Sequence, residues 1–352
     1  MNYAENFCLG HLNSFNLPCC AEYFCSVGSI EELHEAVEFA KKKNLAILPL
    51  GGGTNVILPP ILKGLVIRIV LKGRSITPYI SDQACRELTL CAGENWHESV
   101  LYSLSNNLFG MENLSLIPGT VGAAVIQNIG AYGTELSDFL VRLTAFDLDQ
   151  ESIVEMSRND CKLGYRDSIF KNEYKDKYII LDVTFKLNTL PKIDISYPDL
   201  SVYFSASSEM PSAEEVAAAV AEIRTNKLPS ISEEPNVGSF FKNPIFSKKK
   251  FESLLDEGNI LKTAPMVAID DSHIKIPAAW LIEKCGFKGK NFGGIGVHGI
   301  QPLVLVNNSK GSNPQGFSDL MTVVENIIDR VYGNFAITLE IEPRIYEELG
   351  DA

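Results

Sequence analysis

Residues 117–133 read IPGTVGAAVIQNIGAYG. Glycine stands at 119, 122, 130 and 133, proline at 118, and no side chain carries a charge. A surface loop would be more polar, and a helix interior would hold less glycine. Without a Cβ, backbone N–H groups can approach a flat or phosphorylated ligand closely. The stretch reads as backbone wrapped around a large cofactor, with an irregular buried core segment as the competing reading.

A second glycine run lies upstream. Gly51-Gly52-Gly53-Thr54-Asn55 follows an apolar strand expected over 45–50 and precedes Val56-Ile57-Leu58 and Pro59-Pro60. A Rossmann loop must lead from strand into helix. No amphipathic helix follows here, and the Gly-Lys-Ser/Thr of a Walker loop is missing. An anion nest of successive amides, with the Thr54 hydroxyl and the Asn55 amide, fits the pattern. A plain glycine turn between strands is the alternative.

The bulk composition narrows the class. At 352 residues the chain has room for two or three domains. A net charge of −13 argues against a nucleic-acid partner, yet a local basic cluster could still serve an anionic substrate. The eight cysteines form no CxxC pair and no regular spacing with histidine, so no metal site is expected. The N-terminus lacks the basic start and apolar core of a signal peptide, and no run of about 18 apolar residues could span a membrane. A cytoplasmic location with reduced thiols follows as the expectation.

Periodicity and caps predict helices over 29–44 and 212–225, each opened by a capping-box pattern, Ser29/Glu32 and Ser212/Glu215. Further helices are expected over 97–106, 277–285 (with proline in its first turn) and 318–332. Strands are expected over 65–71, 87–91, 141–148, 178–187, 303–306 and 336–341. The Lys248-Lys249-Lys250 run reads as a solvated helix start, and the main domain boundary falls near 228–234.

Several segments then occur in one order: GGGTN at 51–55, AGENWHESV at 92–100, NLSLIPGTVGAAVIQNIGAYG at 113–133 and GYRDSIFK at 164–171. RTNKLP at 224–229, GSFFKNP at 238–244, AAWLIEKCGFKG at 278–289 and LEIEPRIY at 339–346 complete the set. Together they resemble the UDP-N-acetylenolpyruvoylglucosamine reductase family over nearly the whole chain. The resemblance implies an α+β FAD-binding fold of the p-cresol methylhydroxylase/vanillyl-alcohol oxidase type, with a C-terminal α+β substrate-binding domain. It implies FAD-binding subdomains over 1–73 and 74–227 and a substrate domain over 228–335. The tail 336–352 is expected to return to the first subdomain. The implied reaction has NADPH reduce non-covalent FAD, which reduces UDP-N-acetylglucosamine enolpyruvate to UDP-N-acetylmuramate. A monomer is expected.

Reduction of an alkene conjugated to a carboxylate leaves an enolate, so the site needs a cation, an acid at the carboxylate and a proton donor. The resemblance places these roles on Arg166, Glu342 and Ser239. Arg166 offers a permanent forked charge; a surface pair with Asp167 is the bland alternative. Glu342 ends an apolar strand, with Glu340 as rival two residues earlier on the same face; exposure to solvent is the bland alternative. Ser239 follows a glycine in a turn, where a capping hydroxyl is the default.

For the diphosphate of the substrate, Lys227 and Lys242 are the candidates, with Arg224 and Asn243 behind them. Tyr197 matches a substrate-closing tyrosine of one branch of the family, or else is a partly buried loop aromatic. For FAD, Gly51, Gly52, Gly53, Thr54 and Asn55 are assigned to the diphosphate. Pro118, Gly119, Gly122, Ala123, Gly130 and Tyr132 are assigned to the ring system and ribityl chain, and Arg344 lies near the flavin. Ala123-Ala124-Val125 departs from the usual small-polar pair and proline. Other readings are an FAD oxidase of a sugar or hydroxy acid, and a non-catalytic UDP-sugar or flavin-binding module.

Overall fold

A computed structural model describes residues 1–256, 264–309 and 313–346. The last residues of the tail expected over 336–352 lie outside them. By contacts the chain separates into two compact units: 1–7, 21–53 and 63–226 in the first, and 8–20, 54–62 and 227–352 in the second.

The first unit is built on two sheets. One runs Ala4–Cys8, Cys20–Val27, Ile61–Ile69, Ile47–Leu50 in spatial order, with the last two parallel and Ile47 opposite Leu65. The helix Ile30–Lys43 connects Cys20–Val27 to Ile47–Leu50. Ser29 Oγ accepts from Glu32 N–H at 3.2 Å. The Glu32 carboxylate reaches back to Gly28 N–H at 2.6 Å instead of to Ser29, so the expected capping box closes one residue early. Asn44 ends the helix in the left-handed region.

The second sheet is antiparallel, in the order Ser152–Ser157, Leu140–Asp147, Tyr178–Asn188, Cys85–Cys91, Arg74–Pro78. Its central strand, Tyr178–Asn188, is buried on both faces. The helices Trp96–Ser105 and, up to Asn226, Ala213–Lys227 also belong to this unit. At the latter, Ser212 and Glu215 form the full reciprocal box, 2.7 and 3.2 Å. Two subdomains are expected here. A single apolar core, from Val27 and Leu33 under the first sheet to Leu143 and Phe185 under the second, joins both sheets. That shared core is why contacts group them as one body.

The second unit carries two three-stranded sheets, Ile245–Ser247, His273–Lys275, Val267–Ala268 and Asn291–Phe292, Ile295–Val297, Leu305–Asn307. The helices Lys248–Asp256, Ala278–Lys284 and Gly316–Phe335 accompany them. Leu320, Val323, Val324, Ile327 and Val331 face its core. Pro277 is the residue before the helix, not its first turn. The strand expected over 303–306 forms at Leu305–Asn307.

Among the described residues, no ladder forms over 336–341 apart from one antiparallel bridge, Phe241 with Ile341. The regular strand comes later, Arg344–Ile345, parallel to Val56–Ile57. Segments 8–20 and 54–62, expected in the first FAD subdomain, therefore count with the second unit. Among the described residues no helix is long and apolar enough to cross a membrane.

Candidate active site

The stretch 117–133 is not continuous irregular backbone. Val121–Gln127 is a two-turn helix, against the expectation that glycine would exclude one. The reason is contact and not flexibility. A Cβ on Gly122 would lie 2.8 Å from Ala92 Cβ, and Gly122 N–H donates to Ala92 O at 3.0 Å. Glycine here lets a helix touch the end of the strand Cys85–Cys91. Gly119, at φ +118°, does need glycine's freedom; its carbonyl accepts from Trp96 N–H at 3.1 Å. Gly130 lies in a two-residue strand, Gly130–Ala131.

The two glycine motifs meet within the first unit. A Cβ on Gly51 would come 2.6 Å from Thr120 Oγ1 and 3.3 Å from Ala123 Cβ. Gly52 is exposed, and Gly53 is buried at φ +65°. Beside this loop the stretch, with Leu116 just before it, presents an apolar face to solvent: Leu116, Pro118, Ala123 and Ile126 are exposed while Val121, Gly122, Ala124 and Val125 are buried. Exposed apolar side chains next to amide-rich, glycine-lined backbone fit a flat ring system carrying a diphosphate. The residues present thus suit FAD. Thr54 and Asn55, the rest of the loop, belong to the second unit; Asn55 O accepts from Arg344 N–H at 3.0 Å, which fixes Arg344 beside it. The Arg344 guanidinium stacks over the Tyr346 ring at 4.1 Å.

Arg166 sits at the tip of a turn closed by Gly164 N–H to Asp167 O (3.0 Å) and Asp167 N–H to Gly164 O (3.1 Å). Its φ of +53° is left-handed, rare for arginine. The guanidinium donates to the carbonyls of Gly130 and, at 3.4 Å, Asn128. A Cβ on Gly130 would stand 3.0 Å from Arg166 Nη1 and from Glu135 Cγ, and 3.1 Å from Thr134 O, so this glycine keeps a crowded spot open beside the guanidinium. Asp167 Oδ1 accepts from Ser168 N–H and Asn172 Nδ2 at 2.9 Å each.

Arg224 and Tyr132 belong to the same unit. Burial lowers the Arg224 pKa, and the positive charge of Arg166 lowers it further, against the pull of Tyr132. Arg224 Nε is buried without a hydrogen-bond partner among the described residues. The Tyr132 hydroxyl is pushed up to about 12, chiefly by burial. Arg224, expected behind the lysines at the diphosphate, thus feels the charge of Arg166. Tyr197, 41% exposed, packs edge-on against Tyr132 with centroids 5.3 Å apart. It immediately precedes the short helix Pro198–Tyr203.

In the second unit, Ser239 and Glu342 lie on paired backbone. Glu342 N–H donates to Phe240 O at 3.0 Å, and Lys242 N–H to Glu340 O at 2.9 Å. Gly238, at φ +74°, turns the chain into this pairing with its N–H on Asn236 Oδ1 at 2.9 Å. Ser239 and Glu342 are half-buried, whereas Glu340 is exposed and ion-paired with Lys242. Asn243 Oδ1 accepts from Ala278 N–H at 2.9 Å and so caps the helix Ala278–Lys284. Lys227 ends the helix Ala213–Lys227 and is exposed.

Three residues that hold this arrangement were not singled out from sequence. Asn128 is fully buried and left-handed. Asn113 Nδ2 donates to Tyr132 O (2.9 Å) and Asp194 O (3.1 Å). Lys171 Nζ donates to Arg166 O at 3.0 Å. Asn128 alone carried a local signal, since asparagine at a helix end tolerates the left-handed region.

Comparison with known proteins covers both units. Residues 230–346 match the family described as UDP-N-acetylenolpyruvoylglucosamine reductase, C-terminal domain, and 21–157 match an FAD binding domain. The UDP-N-acetylenolpyruvoylglucosamine reductase of Flavobacterium johnsoniae is 39% identical over 347 residues, 98% of this chain and 100% of the relative. That of Polynucleobacter asymbioticus is 40% identical, covering 97% and 96%. The crystal structure of the reductase from Thermus caldophilus matches the fold with a TM-score of 0.64, at 20% identity and 98% coverage of each chain.

Proposed function

This chain belongs to the UDP-N-acetylenolpyruvoylglucosamine reductase family, and from that membership we propose that it uses NADPH and FAD to convert UDP-N-acetylglucosamine enolpyruvate to UDP-N-acetylmuramate. It is an oxidoreductase of peptidoglycan precursor synthesis with an FAD-binding domain. The observation that carries the finer reading is Arg166, held across the carbonyls of the glycine-rich stretch that presents the open apolar face.

FAD bound here and reduced by NADPH would supply a hydride for the terminal carbon of the enolpyruvyl group. Charge then develops on the substrate carboxylate as an enolate. Arg166 meets that charge with two parallel donors, and Glu342, as the neutral acid, donates to the same oxygens. Ser239 Oγ gives its proton to the carbon next to the carboxylate and recovers one from water. Overall the alkene gains one hydride and one proton. Arg224 adds positive charge for an anionic group of the substrate, and its buried Nε, without a partner among the described residues, supports that use. Lys227, Lys242, Asn243 and Tyr197 are assigned to the diphosphate end of the substrate.

Gly51, Gly52, Gly53, Thr54 and Asn55 are assigned to the FAD diphosphate. Pro118, Gly119, Gly122, Ala123, Gly130, Tyr132 and Arg344 are assigned to the rest of the cofactor. The two FAD-binding subdomains are assigned to 1–73 and 74–227, on the two sheets that share one core. Eight unpaired cysteines support a reducing, cytoplasmic setting.

The test is an anaerobic experiment in two halves. NADPH should bleach the flavin absorbance of the purified protein, and the enolpyruvyl substrate should restore it in seconds. Prompt recovery on admitting air, with none on adding substrate, would mark an oxidase and overturn the proposal.

A further inference from the structure

We propose that Asn128 and Lys171 are positioning residues for Arg166, together holding its turn in the left-handed conformation that aims the guanidinium over Gly130. The proposal rests on the assignment of Arg166 to the substrate carboxylate.

A non-glycine residue persists at φ +53° only where its surroundings over-determine it. Two side chains do so here, from the end of the helix Val121–Gln127 and from the segment after the turn. Lys171 Nζ donates to the carbonyl of Arg166 at 3.0 Å and to Gln127 Oε1 at 3.1 Å. This ties the turn's tip to the last residue of the helix. Asn128 grips the base of the turn: its Nδ2 donates to Gly164 O at 2.8 Å and to Glu135 Oε2 at 3.0 Å. Its Oδ1 accepts from Ser137 N–H at 3.0 Å.

Both amide protons and the amide oxygen of Asn128 are therefore engaged. Flipping the amide would set its oxygen against two acceptors, so the hydrogen-bond pattern fixes the orientation. The backbone carbonyl of Asn128 also accepts from Arg166 Nη1 at 3.4 Å. One buried residue thus holds both the turn that presents the arginine and one of the oxygens on which the guanidinium rests. A buried asparagine with no such task would be satisfied by its own element; this one reaches across 36 residues to Gly164.

The experiment uses purified holoenzyme and four variants: N128D, K171M, R166A and R166A/N128D. In N128D a carboxylate replaces the donor that faces Glu135 and Gly164, so the turn loses its grip. Substrate-driven reoxidation of the reduced flavin should fall about 50-fold and NADPH-driven reduction should change less than about twofold, because misplaced donors cost rate only where they act. Affinity for the lactyl product, read by calorimetry, should fall about tenfold in N128D and in K171M. In the R166A background, N128D should add less than about twofold, the mark of action through Arg166.

Equal losses in both half-reactions, or additivity with R166A, would overturn the proposal. Normal N128D and K171M beside a crippled R166A would overturn the positioning while leaving Arg166 in place. An R166A protein with intact reoxidation and product affinity would instead overturn the assignment of Arg166, and the proposal with it. Lys171 is only half-buried, so K171M carries the same comparison if N128D does not fold.

Discussion

Replacing Gly122 by alanine sets two effects against each other. Alanine is favoured over glycine in a helix by about 1 kcal/mol, and Gly122 lies in the helix Val121–Gln127. Against this, the new Cβ would stand 2.8 Å from Ala92 Cβ and 3.4 Å from Ala92 Cα and O. Carbon atoms rest at about 3.5–4.0 Å, and an alanine has no rotamer through which to yield. The helix must retreat by about 1 Å, the separation those contact distances require. It would stretch the 3.0 Å bond from Gly122 N–H to Ala92 O. Overpacking of this kind costs about 1–3 kcal/mol.

The net expectation is a loss of about 1 kcal/mol, since packing outweighs propensity. Urea denaturation, with an unchanged m-value, measures it. Activity should suffer more than stability, because the helix runs directly into Asn128. Moving that residue by about 1 Å should lower kcat by up to about 100-fold. The double variant A92G/G122A reopens the space and should recover most of both losses. A G122A protein as stable as the parent, or an Ala92→Gly change that restores nothing, would refute the packing argument.

Three further outcomes are expected. Ser239→Ala should leave NADPH-dependent bleaching of the flavin intact while product formation falls steeply; unchanged product formation would remove Ser239 from the proton-donor role. Glu94, 5% exposed, accepts from Arg74 Nε (3.0 Å), Arg74 Nη2 (2.7 Å) and Gly73 N–H (3.0 Å). Burial pushes its pKa up, but those bonds and the charges of Lys72 and Arg74 outweigh burial and hold it below the ordinary value.

A depressed folded pKa means the stabilisation is complete above the unfolded value, about 4.3, and is lost as pH falls through the folded value. Glu94→Gln should therefore cost about 2 kcal/mol at pH 7 and flatten the acid limb of stability against pH; an unaltered acid limb would refute this. Asn307→Ala should destabilise the second unit by about 1–3 kcal/mol, because Asn307 Nδ2 holds the carbonyls of Phe15 (2.9 Å) and Asn16 (3.2 Å); guanidinium unfolding reads it, and no change would show those bonds to be neutral.

Local signals were legible where the physics is local. Ser29, Asn44, Ser212 and Glu215 mark helix ends by bonds spanning at most a few residues, so they could be read from spacing alone. The eight ordered motifs likewise determined the family, because they record residue identity without geometry. The strand expected over 336–341 failed for the opposite reason. Its apolar alternation is real, with Ile337 and Leu339 buried, but a strand needs a partner along its length and only residues around Phe241 pair with it.

By itself the sequence determined the chemistry on offer: an arginine between aromatics, a serine after glycine, a glutamate before proline, and two glycine-rich runs. Tertiary structure alone decided what those groups do to one another. Gly122 answers to an alanine thirty positions away, Gly130 to the crowding of Arg166, Glu135 and Thr134 around it, and Asn243 to a helix it caps. Such requirements come from atoms brought into contact by folding, and spacing along the chain carries no record of which atoms will meet.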